Sequence, residues 1–140
     1  MAFHFEFDPI HRIIRIRFSD SVTDDDLTYF YQMSALLVGS LDPLSAVVDF
    51  SAVDSFESSA EFIRKQAELP PVMPQRERPR IVVAPRDDVF ALARVFAAEG
   101  EATRPNFHVV RSAQQAWAIL GVMEPEFQTI SQALDETCRR

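Results

Sequence analysis

The side chains in this sequence with chemistry to offer are three histidines, one cysteine, a run of aspartates, two arginine clusters and a knot of serines. His4, His11 and His108 are scattered along the chain. Zinc sites draw ligands from close spacings such as His-x-x-x-His, and no such pair occurs. His4 and Glu6 share one strand face, which makes two ligands at most. Cys138 stands alone, so the chain can form neither an internal disulfide nor a cysteine cluster, and no histidine sits near it as a base. Asp24, Asp25 and Asp26 are consecutive; successive helical side chains diverge, so they suit the first turn of a helix better than a cation. The only glycines are Gly39, Gly100 and Gly121, which excludes glycine-rich phosphate loops and the Gly-x-Ser-x-Gly elbow. Arg15 and Arg17 lie together, and Arg76, Arg78 and Arg80 cluster beside prolines. Either group could hold an anionic partner or lipid headgroup; the default is solvated arginine paired with Glu6 or Glu77. No catalytic residue, metal or cofactor is expected, and the expectation is a non-enzyme.

Composition narrows the partners. The formal net charge is -7 and the pI about 4.9, so a phosphate backbone would repel the chain and nucleic acid is not expected. Lys65 is the one lysine. With 140 residues, 47% of them hydrophobic, one domain can bury a core without a staple. The start lacks the basic and apolar regions of a signal peptide, and no apolar run reaches ~20 residues, so no transmembrane segment and a cytoplasmic location are expected.

The elements that carry these residues follow from periodicity. Phe3, Phe5 and Phe7 alternate with polar residues, as do Ile14, Ile16 and Phe18 with Arg15 and Arg17; the short connection predicts an antiparallel hairpin. Thr23 with Asp26 forms a capping box for a helix carrying Leu27, Phe30, Tyr31 and Leu37, with Gly39 as its stop. Residues 46–50 predict a buried strand ending in a polar loop, followed by a helix from about Glu57 to Glu68. Pro70, Pro71, Pro74 and Pro79 make a stiff surface loop. Residues 81–84 and 107–110 predict strands. A helix capped by Asp87 or Asp88 lies between them, and a Ser112–Gln115 capping box opens the next, which Gly121 closes. Pro125 opens a tail helix with Phe127, Ile130 and Leu134 on one edge. The expected fold is α/β: a mixed, mostly parallel five-stranded sheet with the first strand antiparallel at an edge, four helices and a C-terminal tail helix. Residues 1–122 form the domain and 123–140 the tail. The tail helix and the edge strand are candidate homodimer surfaces.

The segment from Val48 to Ala60 resembles STAS domains of the SpoIIAA, anti-anti-sigma-factor type: Asp49, Phe50, Ser51, Val53, Phe56, Ser58 and Ser59 match in register, whereas Glu57 and Ala60 replace the usual Asp and Gly. Residues 79–85, 89–96 and 107–120 resemble the sister SpoIIAA-like, STAS/SEC14-like group. The resemblance implies a SpoIIAA-like fold and a regulatory protein-interaction module. Ser58 or Ser59 would be the phosphoacceptor at the start of the second helix, and Ser51, Ser55, Phe56, Glu57 and Ala60 would contact a partner protein, a kinase or an anti-sigma-type regulator. From the residues alone, Ser55, Ser58 and Ser59 equally read as loop, cap and first-turn hydroxyls. The alternative implied by SEC14-like relatives is a small apolar ligand or lipid held between sheet and helices.

Overall fold

The computed structural model describes residues 3–139, with side chains through position 135; the Cys138 side chain lies outside them. The order is β1 (Phe3–Asp8), β2 (Ile13–Thr23), α1 (Asp24–Leu41), β3 (Ser45–Glu57), α2 (Ala60–Glu68), β4 (Arg80–Val83), α3 (Asp87–Glu99), β5 (Phe107–Val110), α4 (Ala113–Leu120), β6 (Gln128–Thr129) and α5 (Ile130–Arg139). One sheet runs β5-β4-β3-β2-β1-β6. Strands β2 to β5 pair in parallel, whereas β1 is antiparallel to β2 and β6 to β1. The α/β class and the mostly parallel mixed sheet are as expected, with six strands instead of five. The sixth, β6, covers Glu6 and Phe7, so β1 is not an edge. Two residues carry no alternation to read.

Alternation sorts the sheet into two faces. Phe3, Phe7, Ile14, Ile16, Phe18, Phe50 and Val82 point into one core with Leu27, Leu37 and Leu41 of α1, Ile63 of α2 and Ala93 of α3. Ile13, Val47, Ile81 and Val83 point the other way, onto Ala116 and Trp117 of α4. Phe18 is fully buried, with ring centroids 5.2, 5.3 and 4.8 Å from those of Phe3, Phe30 and Phe50.

Several boundaries differ from their sequence signals, among them the start of α2, which lies at Ala60 and not Glu57. Helix α1 runs through Gly39 to Leu41, and Asp42 ends it in the left-handed region (φ 48°). Hydrogen bonds from Arg78 and Arg12 satisfy the Asp42 carboxylate and hold it below the usual carboxylate range. Strand β3 continues past Phe50 to Glu57 because β2 runs beside it to Thr23. Helix α3 has Arg86 at its N-cap, with no side-chain cap bond. Helix α5 begins at Ile130, not Pro125, and Phe127 parts from its expected edge: it packs on Trp117 (5.8 Å), while Ile130, Ala133 and Leu134 join the other core. Helix α5 thus packs on α1 and β1 of its own chain. The Thr23–Asp26 and Ser112–Gln115 capping boxes and the left-handed Gly121 cap form as expected.

Asp8 joins this tail to the first hairpin. Its carboxylate, 1% exposed, accepts hydrogen bonds from the backbone N–H of Ile10, His11 and Glu126 and lies 2.9 Å from His11 Nδ1. Burial opposes the ion, but the His11 side chain and the His11 and Ile10 amides outweigh it and lower the pKa. The resulting stability is complete above the ordinary unfolded value of ~3.9 and fades as pH falls through the lower folded value. Asp8→Ala should therefore destabilise the protein by about 1–3 kcal/mol at pH 7, because it orphans buried donors. Urea titrations should show the gap to wild type shrinking below about pH 4; a gap constant down to pH 2 would contradict this role.

Candidate functional site

Helices α1, α2 and α3 roof the sheet face carrying Ile14, Ile16, Ala46, Val48, Phe50 and Val82, but they do not fill the space above it. A cavity of about 190 Å³ remains. Leu27, Phe30 and Val38 wall it from α1, Ile63 from α2, and Val89, Leu92, Ala93 and Phe96 from α3. Phe56 lines it towards the C-terminal half of β3; Val72 and Met73 of the proline-rich loop and Phe107, the first residue of β5, complete the lining. The polar members are five: Tyr31, Ser34, Gln66, Arg80 and Arg104. Ser34 Oγ is occupied, donating to the Phe30 carbonyl at 2.7 Å. Tyr31 Oη donates to Pro70 O at 2.6 Å and ties α1 to the loop.

Arg80 opens β4 on the inward face, two residues before Val82. Its guanidinium donates to the carbonyls of Met73, Gln75 and Arg78, which folds the loop back over the strand end. Arg104 reaches from the turn after α3 to the carbonyls of Ala67 and Leu69 (both 2.9 Å), where the last carbonyls of α2 are free to accept and the helix dipole favours a cation. It also lies 5.0 Å from the Phe96 ring. A Cβ at Gly100 would stand 3.3 Å from Arg104 Nη1 and 3.2 Å from Phe96 O, so glycine leaves room for this crossing. Both arginines are 7% exposed, and neither forms an ion pair among the described residues. Burial pushes both pKa values down; the charge of Arg104 adds to the effect on Arg80, and exposed Glu77 only partly offsets it.

Arginines expected in solvent thus divide. Arg15 pairs with Glu6 (3.0 Å) and stacks on Phe127 (3.8 Å), and Arg17 lies 3.9 Å from Glu6. Arg78 binds Asp42 and Pro43 O, Arg76 binds Ala102 O, and Arg80 is buried. Arg80 precedes a run that is apolar at every position, so alternation gives it no side, and Arg104 sits in an irregular turn without any such signal. Apolar spacing marks the cavity lining as core, and nothing in it distinguishes a gap.

The sequence-predicted site lies at the other end of β3. Ser51, Ser55, Phe56 and Glu57 belong to the strand beyond its pairing with β4, which stops at Asp49. Two register shifts let the 13 residues of β3 run beside the 11 of β2, and Asp49 Oδ1 accepts from the Ser51 amide at 2.8 Å. Helix α2 begins at Ala60, so Ser59 is its N-cap, accepting from Phe62 N at 3.1 Å. Ser58 lies one residue before that cap. Its hydroxyl donates to Asp24 Oδ1 at 2.6 Å, joining the lead into α2 to the first turn of α1. Ser58 is therefore next to a carboxylate rather than over free helical N–H groups. Of the expected residues, only Phe56 lines the cavity.

No protein-family model matches this chain, and no curated protein sequence matches it. Among the described residues no helix is long and apolar enough to cross a membrane.

The Ser58–Asp24 contact has a measurable consequence. Ser58→Ala should lose about 1 kcal/mol, the value of a partly exposed hydrogen bond. Ser58→Asp should lose more, since two carboxylates then face each other. Melting temperatures of both variants equal to that of the wild type would show that the contact carries no energy.

Proposed function

We propose that this chain is a non-enzymatic binding module that takes a small apolar ligand into the cavity between its sheet and α1, α2 and α3. One observation carries the reading: a space of about 190 Å³ with an overwhelmingly apolar lining lies against the main core. Interiors pack densely, and an engineered apolar cavity of about 150 Å³ binds benzene. Drug-sized ligands need about 300 Å³ or more, so the occupant is smaller. The order of elements, with β1 antiparallel to β2 and β2 to β5 parallel, supports a STAS/SEC14-like relationship and is compatible with this use.

A second reading, a protein-interaction module switched at Ser58, is favoured by the Ser58–Asp24 hydrogen bond. A phosphate there would bring ~-1.5 to -2 charge against Asp24 and part the starts of α1 and α2. Leu27 and Ile63, on those two helices, line the cavity.

Thermal-shift titrations with octan-1-ol and sodium octanoate test the main reading, with Ala93→Leu as the filled-cavity control. At least one C8 compound should raise the melting temperature of the wild type. Ala93→Leu should be near wild type in stability or above it, and should respond to neither. No shift with either compound, or an undiminished shift in the filled variant, rejects ligand binding at this place.

A further inference from the structure

Arg80 and Arg104 set a chemical condition on whatever occupies the cavity. They are buried, they line the same space, and they stand at the end where β4 and β5 begin and the proline-rich loop folds over. A guanidinium carries five N–H donors. Three hydrogen bonds leave each one: Arg80 to Met73, Gln75 and Arg78, and Arg104 to Ala67, Leu69 and Thr103. Neither Nε is among the donating atoms. The acceptors are five backbone carbonyls and one hydroxyl, all neutral. They orient the guanidiniums without cancelling their charge.

A loop clamp alone does not require this arrangement. Arg76, Arg78 and Arg12 fasten neighbouring segments from the surface, where water solvates them and Asp42 neutralises two of them. Two like charges buried beside an apolar cavity are costly unless an opposite charge joins them. The chain is acidic, with 21 Asp and Glu against 14 Lys and Arg, yet among the described residues no carboxylate lines the cavity; Glu77, which acts on Arg80, remains exposed.

We propose that the ligand is a small monocarboxylate, whose carboxylate meets the Arg80 and Arg104 guanidiniums and whose apolar body lies beneath α1 and α3. This rests on the ligand-binding reading above and adds the sign of the ligand's charge. A carboxylate accepts up to four hydrogen bonds in the plane a guanidinium presents, and such charge-assisted bonds are stronger than neutral ones. The volume suits a body somewhat larger than benzene, with a chain of medium length or a single substituted ring.

Calorimetric titration of the whole chain at pH 7 with sodium octanoate, octan-1-ol and octylamine separates the possibilities. The chains are equal in length and differ in charge. Octanoate should bind at least about tenfold more tightly than octan-1-ol, and octylamine should bind most weakly. Arg104→Gln should reduce octanoate to the affinity of octan-1-ol while changing octan-1-ol less than about twofold; its melting curve establishes folding. Should that variant not fold, the wild-type series decides by itself. Equal binding of octanoate and octan-1-ol, tighter binding of octylamine, or an unchanged octanoate affinity in folded Arg104→Gln overturns the anion assignment and leaves the cavity reading intact. Binding of none of the three removes both.

Discussion

The parallel pairing of β2 with β3 decides what every layer contains. Ile14 lies beside Ala46 and Ile16 beside Val48, all on the cavity face; Ile13, beside Ser45, and Val47, beside Arg15, belong to the face under α4. A slip of one residue would exchange these sets and place Arg15 among the phenylalanines. Because β4 and β1 pair with the outer sides of these two strands, they inherit the same sorting.

Helices laid over this register leave unequal spaces. Where Phe3, Phe18, Phe30 and Phe50 meet, aromatic rings pack at centroid distances near 5–6 Å, and Phe30 and Phe50 also face the cavity. Towards α2 and α3 the facing residues include Ala46, Ser34 and Ala93. Small side chains on three sides leave the gap without bulk to occupy it. The proline-rich loop cannot collapse into it, because Arg80, Arg104 and Tyr31 hold its carbonyls and those of the adjoining α2 end at fixed heights.

Much of this architecture was legible from local patterns. The alternation of Phe3–Phe7 and Ile14–Phe18, both capping boxes and the Gly121 cap are short-range signals, and they fold as their chemistry dictates. What local patterns missed depends on distant partners. Gly39 fails to stop α1 because Asp42, held by Arg12 and Arg78 from elsewhere in the chain, terminates it three residues later. Residues 51–57 look like a loop in isolation and become strand because β2 extends beside them. At the candidate site, the serine cluster was conspicuous by type and spacing. The cavity was invisible, since a gap is a property of how layers meet. Arg104 was equally hidden; only Gly100 and the carbonyls ending α2 give it a place.

Beyond Asp49 the β2–β3 pair projects past the rest of the sheet as a two-stranded ribbon, and one side of β3 there has no neighbouring strand. Bare edges of this kind are templates on which other chains add strands and aggregate. This ribbon carries its own protection. Asp20, Asp54 and Glu57 place negative charge along it, its two bulges break the flat hydrogen-bonding row, and Arg86 occupies the Asp54 carbonyl. Acidic charge and irregular pairing are the features that oppose strand addition along such an overhang.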